Sequence, residues 1–323
     1  MDFGILLTIV LFILGIVLVV KGGDYFVDAA SWIAEVSGIP KLIIGATVVS
    51  VATTLPEMLV SVMAAVDKKV DMSIGNAVGS VTANIGLIMA ISLIFIPTMI
   101  KRKDYLLKSV LMLAAAAVIV VCGFAGEINI LLSVILLIVF VVFFVENYLV
   151  AKKAVSTTKK EGRDPELTKA KVVIVNILKF VFGAAGIVIG ARLLVDKGSE
   201  IALYFGVSER IIGVTMVAIG TSLPELITTI SAISKKQSDL SVGNIIGANI
   251  MDLTLIMPLS ALVSGRSLPV TQTAMMIDLP ACLLVGLIAI VPALIRKKFS
   301  RVQGFILLGV YIGYVVLTCF VNL

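Results

Sequence analysis

The sequence has no histidine, three cysteines and few charges, with only 14% of its 323 residues Asp, Glu, Lys or Arg. Cys122, Cys282 and Cys319 lie in or at the ends of apolar stretches without CxxC spacing, which reads as buried free thiols rather than disulfides or metal ligands. Without His or paired Cys, soft-metal sites are excluded, and a bound cation must be held by oxygen. The scarcity of charge, set against 60% hydrophobic residues, excludes an ordinary soluble domain. Apolar runs of about 20 residues, the length that crosses a bilayer, recur along the chain. They place ten spans at 3–20, 40–66, 73–96, 105–122, 128–150, 171–195, 208–234, 241–263, 272–294 and 301–322. The first reads as a true span, since Met1-Asp-Phe-Gly offers no basic leader and no small-residue cleavage site follows.

The net charge of +6 does not point to nucleic acid, because the basic residues alternate from loop to loop as an orientation signal does. All but Lys68, Lys69, Arg192, Lys197, Arg210 and Arg266 of the 26 fall on one side. That side, which includes Lys21 and Lys108, is expected to be cytoplasmic, with both termini outside. Residues 151–170 form the one substantial polar linker, expected as a solvated cytoplasmic connector because it mixes charges with Gly and Pro.

What the chain does contain is a duplication. Gly45-Ala-Thr-Val-Val-Ser-Val-Ala-Thr-Thr-Leu-Pro-Glu57 returns 168 residues later as Gly213-Val-Thr-Met-Val-Ala-Ile-Gly-Thr-Ser-Leu-Pro-Glu225. The same offset relates Gly22, Val27, Asp28 and Ser31 to Gly190, Val195, Asp196 and Ser199, and Asp71 through Gly79 to Asp239 through Gly247. An odd number of spans per half makes the copies inverted across the membrane. The chain therefore divides into a five-helix repeat at 1–150, the linker, and a second, inverted repeat at 171–323. Inverted repeats with interrupted helices at the midplane are the signature of secondary transporters.

Each copy sets a carboxylate, a proline and hydroxyl residues inside an apolar span. Pro56 has no N–H for the carbonyl of Ala52, and Pro224 none for that of Gly220, so each helix is expected to open there. The freed oxygens near Ala52, Thr53, Gly220 and Thr221 need a partner inside the bilayer. With the carboxylates of Glu57 and Glu225 and the hydroxyls of Thr53, Thr54, Thr221 and Ser222 they make an all-oxygen shell suited to Ca²⁺ or Na⁺. Simple proline kinks would leave both glutamates without a basic partner, since Lys and Arg occur only near the ends of these spans. The second element of each half is Gly75-Asn-Ala-Val-Gly-Ser-Val-Thr-Ala-Asn84 and Gly243-Asn-Ile-Ile-Gly-Ala-Asn-Ile-Met-Asp252. Ser80 and Asn84 share a helix face, as do Ala248 and Asp252, and that face is expected to look at the glutamates. Close packing explains the glycines but not Asp252. Asp278, early in span nine, reads as a headgroup contact, as do Asp24, Asp28, Asp196 and Glu200 at span ends.

At these residues the chain resembles the sodium/calcium exchanger branch of the calcium/cation antiporter superfamily, over nearly its whole length. The resemblance implies an all-α protein of ten spans in two inverted five-helix repeats. It implies a calcium site of Glu57, Glu225 and the carbonyls of Thr53 and Thr221. It also implies flanking sodium sites at Ser50 and Ala218 with the hydroxyls of Thr54 and Ser222, while Ser80, Asn84 and Asp252 come from the second elements. The chain departs from the family at Ala248, usually serine, at Ser50, usually alanine, and at Thr54, usually serine.

The expectation is a multi-pass transporter of the cytoplasmic membrane that exchanges Ca²⁺ for Na⁺. It needs no cofactor, nucleic acid or obligate protein partner, and its ligands are inorganic cations and the surrounding lipid. An antiporter of the same fold exchanging Ca²⁺ for H⁺ is the alternative. A passive channel would carry Ca²⁺ with no counter-ion, and an intramembrane protease would need Asp24 to face Asp252.

Overall fold

A computed structural model describes residues 3–97, 102–161, 165–206, 220, 222–265 and 267–321. Of the span expected at 208–234, residues 208–219 and 221 lie outside the described residues, and with them Ala218 and Thr221. The rest is a helical membrane bundle: α1 (Phe3–Ser37), α2 (Lys41–Val66), α3 (Met72–Phe95), α4 (Arg102–Phe124), α5 (Ile130–Glu161), α6 (Ala170–Tyr204), α7 (Leu223–Ser234), α8 (Ser238–Ser264), α9 (Ala274–Arg296) and α10 (Arg301–Val321). Among the described residues, all but α7 are long and apolar enough to cross a bilayer. A two-residue strand, Glu127–Ile128, pairs antiparallel with Leu268–Pro269 and joins the loops after α4 and α8.

Burial sorts the helices. The most apolar window of α8 is 83% buried and that of α3 72%, whereas in α6 the figure is 11%. A helix that is apolar all round and buried on every side belongs at the centre, while one whose apolar side chains stay exposed faces lipid. The core therefore sits on α3 and α8, and α1, α5 and α6 turn much of their surface outward.

The repeat is visible in the backbone. Gly38 and Gly206 both adopt positive φ, as do Lys68 and Lys236, each pair 168 residues apart. The helices α1 and α6 cross through reciprocal glycines. A methyl group on Gly15 would come within 3.1 Å of the Gly190 carbonyl oxygen, and one on Gly183 within 2.9 Å of that of Gly22. Gly15 and Gly22 correspond to Gly183 and Gly190 at the same offset, so the crossing is antiparallel and self-complementary, as inverted copies require.

Several local expectations are corrected. The first span does not stop at residue 20: α1 runs 35 residues to Ser37, about 50 Å at 1.5 Å per residue. The polar run Lys21-Gly-Gly-Asp24 looked like a loop, but its glycines pack against α6 and α7, and Asp24 and Asp28 are paired within the fold. Likewise α6 continues past residue 195 to Tyr204. Lys108, counted above among the cations of one side, is buried and paired with Glu146 of α5. Asp278 is half-buried and accepts a hydrogen bond from Tyr314 of α10 at 2.9 Å. The first part of the linker, residues 151–161, continues α5 as helix.

Candidate functional site

The chemistry collects where α2, α3, α7 and α8 meet. Three of these depart from α geometry by π-helical turns: Gly45–Val49 in α2, Asn84–Met89 in α3 and Asp252–Ile256 in α8. Such turns widen the helix by one residue and turn carbonyls away from the axis, and they recur at functional sites. Those in α3 and α8 begin at Asn84 and Asp252, which are equivalent at the offset of 168. The opening expected at Ala52 takes another form. The helix runs unbroken over Ser50–Val66 with Pro56 inside it, and the irregular turn lies just before, at Gly45–Val49. One missing N–H is not enough to unwind a helix braced on its other sides. In the second half α7 starts at Leu223, after a turn at Ser222, with Pro224 in its first turn.

Close approach of α2 and α8 explains how the halves come together. A methyl group at Gly243 would lie 2.2 Å from the Leu42 carbonyl oxygen, and one at Gly45 would lie 2.3 Å from that of Leu240. Only glycine lets the backbones cross this tightly, and the crossing sets the α2 π-turn against the helix that carries Asp252.

Around that crossing, Ser50, Thr53, Thr54, Glu57, Ser80, Asn84, Ser222, Glu225, Ala248 and Asp252 are all buried, none more than 3% exposed. The Glu57 carboxyl lies within electrostatic reach of those of Glu225 and Asp252. Thr54 Oγ1 donates to Glu225 Oε1 at 3.4 Å, a direct link between the two motif copies. Both carboxyl oxygens of Glu57 and of Asp252, Glu225 Oε2, Asn84 Oδ1 and the hydroxyls of Ser80 and Ser222 meet no hydrogen-bond partner among the described residues. A neutral buried polar group left unpaired costs about 1–3 kcal/mol, and an unpaired carboxylate costs more. Oxygens from both halves are thus buried with no hydrogen-bond partner among the described residues. No three acidic side chains among the described residues are gathered tightly enough to hold a metal by themselves. A cation here would be completed by hydroxyl and carbonyl oxygens, as the residue types suggested.

Ser50 is buried at the end of the α2 π-turn. Its hydroxyl donates to the Thr47 carbonyl at 3.2 Å and lies against Gly247, so it serves the π-turn and the helix crossing. Ala248 offers only a buried methyl.

The structure adds an asparagine scaffold that the residue-by-residue reading did not single out. Asn76 Nδ2 donates to the Glu57 carbonyl at 3.2 Å and to Ser61 Oγ at 2.9 Å. Its repeat partner Asn244 accepts from Thr53 Oγ1 at 3.2 Å and donates to Thr228 Oγ1 at 3.1 Å. Asn84 and Asn249 pair across the halves at 3.1 Å. The recurrence of Gly-Asn at 75–76 and 243–244 was the available signal for the first two. Asp24 does not face Asp252; it lies beside Lys235, which removes the geometry of an aspartyl protease.

The profile of a family described as sodium/calcium exchanger protein matches residues 7–149 and again 175–320, one match in each half. The chain is 35% identical to the inner membrane protein YrbG of Escherichia coli, over 80% of this chain and 81% of that one. It is 30% identical to the sodium/calcium exchanger MaX1 of Methanosarcina acetivorans, over 98% of this chain and all of that one. Among solved structures, the sodium-calcium exchanger NCX_Mj soaked with Na⁺ and Sr²⁺ superimposes with a TM-score of 0.79 at 30% identity, covering 97% of this chain and 99% of that one. A chain matched end to end in this way is a multi-pass membrane antiporter for inorganic cations, and not an enzyme. It belongs to the sodium/calcium exchanger protein family.

Proposed function

We propose that this protein exchanges Ca²⁺ for Na⁺ by alternating access to the buried site between α2, α3, α7 and α8. The observation that carries the reading is the set of buried, unpartnered oxygens contributed by both halves. In this reading Glu57 and Glu225 bind Ca²⁺ together with the carbonyls of Thr53 and Thr221. Thr54, Ser222, Ser80, Asn84 and Asp252 complete the cation sites, and Ser50 and Ala218 supply flanking backbone. Glu57, Glu225 and Asp252 bring up to three negative charges. One Ca²⁺ or several Na⁺ would offset most of that, so the loaded cavity crosses the barrier far more readily than a bare one. That coupling makes an exchanger of it rather than a channel.

The division at 1–150, 151–170 and 171–323, the cytoplasmic linker and the two external termini belong to the same proposal. They are supported by the repeat and by the distribution of Lys and Arg. The E. coli relative is named an inner membrane protein, in keeping with a cytoplasmic-membrane location.

Ala248 favours one variant, exchange of Ca²⁺ for H⁺, because the methyl removes a hydroxyl from the sodium shell and leaves Asp252 or a glutamate to take the proton. Uptake of ⁴⁵Ca²⁺ into proteoliposomes separates the two. An outward Na⁺ gradient should drive uptake at matched pH; uptake driven by a pH gradient alone would replace the sodium reading by the proton one.

A further inference from the structure

The ion pairs of the bundle are unequal at its two ends. At one end Lys235, just past α7, sits on α1: its Nζ donates to the Asp24 carbonyl at 2.6 Å and to Asp28 Oδ1 at 2.7 Å, and lies 3.7 Å from Asp24 Oδ1. Lys179 of α6 adds a contact of 3.7 Å to Asp28. The packing there is tight, since a methyl group on Gly23 would come within 2.7 Å of Ile227 and of Ser231.

The offset of 168 carries this arrangement to the opposite end, because α1 and α6 are antiparallel. Lys235 becomes Asp67, just past α2, and Asp24 becomes Arg192 on α6. Lys235 and Asp24 exchange charge with Asp67 and Arg192, so those two positions remain complementary, while Asp28 keeps its sign at Asp196, which lines the same side of α6 as Arg192. In the structure the second pair is not formed: the ion-pair contact of Asp67 is exposed Lys69 at 4.0 Å, and Arg192 makes none among the described residues. In place of the tight packing at Gly23, its equivalent Ala191 lines a cavity of about 150 Å³ with Arg192, Pro56, Val60 and Pro224. Among the described residues the ion pair is formed at one end, and its counterpart is not formed at the other.

In a transporter of inverted repeats, the opposite-facing state arises when the two halves exchange conformations. We propose that Lys235 with Asp24 and Asp28, and Asp67 with Arg192, are two charge-reversed latches, each closed in one of the two facing states. The proposal deepens the antiport reading and rests on it. Each latch stabilises one end of the cycle, so the balance between them sets which face the cavity opens to.

Nitroxide labels at Met63→Cys and Ile189→Cys, both lipid-exposed and close to the second latch, report its closure by pulsed electron resonance. The background replaces Cys122, Cys282 and Cys319 by Ala. Loss of a half-exposed ion pair moves a two-state equilibrium by about two- to fivefold. Lys235→Gln should enlarge the short-distance population by about that factor, and Arg192→Gln should shrink it. An unchanged distribution in Lys235→Gln, or shifts in the same direction for both variants, would overturn the latches. The measurement needs no transport, so failure of Na⁺-driven Ca²⁺ uptake with the opposed shifts intact would sink the antiport reading and leave the latches standing.

Discussion

At the scale of residues, the account turns on oxygens that have no donor. Glu57→Gln or Glu225→Gln removes a charge and a possible bidentate ligand, and Na⁺-driven ⁴⁵Ca²⁺ uptake should fall to the level of empty vesicles. Near-normal uptake in either variant would show that the two glutamates do not hold the ion. Ala248→Ser returns a hydroxyl beside Asp252, and the Na⁺ concentration giving half-maximal exchange should drop; an unaltered Na⁺ response would count against position 248 as part of a sodium shell. These positions were legible in the sequence because a carboxylate inside an apolar span has few structural uses, and here it occurs twice at one spacing. The asparagines were less legible. Asn76 and Asn244 hold threonine, serine and carbonyl partners from neighbouring helices, and nothing in one strand of sequence says which helix will be adjacent. Asn249 has no asparagine counterpart at Val81, so the repeat gave no hint of it.

At the scale of elements, the tight crossing of α2 and α8 sets Thr53 and the rest of the first motif copy against the helix that carries Asp252. Gly243→Ala forces a methyl group against the Leu42 carbonyl, an overpacking of about 1–3 kcal/mol, and should lower the midpoint of thermal unfolding of the purified protein. An unchanged midpoint would mean that the crossing can relax. The number and order of spans followed from hydropathy, but the lengths of α1 and α6 did not. Charges at Lys21, Asp24 and Asp28 marked a membrane edge by the usual rule, whereas ion pairs and glycine contacts keep the helix going through them. The π-turns were likewise hidden, since Gly45–Val49 is a run that any apolar helix could contain, and the proline drew attention to a neighbouring position instead.

At the scale of the whole molecule, two inverted halves related at 168 residues bring unlike copies of one motif face to face. The orientation proposed for them has its own check: a membrane-impermeant thiol reagent added outside intact cells should label Lys68→Cys and spare Lys152→Cys, and the reverse pattern would invert the topology. The central claim is that both halves hold the same cation in turn with Na⁺. Equilibrium binding of ⁴⁵Ca²⁺ to the purified protein, titrated with Na⁺, tests it most directly. Ca²⁺ should bind the wild-type chain, leave as Na⁺ is raised, and fail to bind once either Glu57 or Glu225 is replaced by Gln. Ca²⁺ binding that survives both substitutions and ignores Na⁺ would contradict the account.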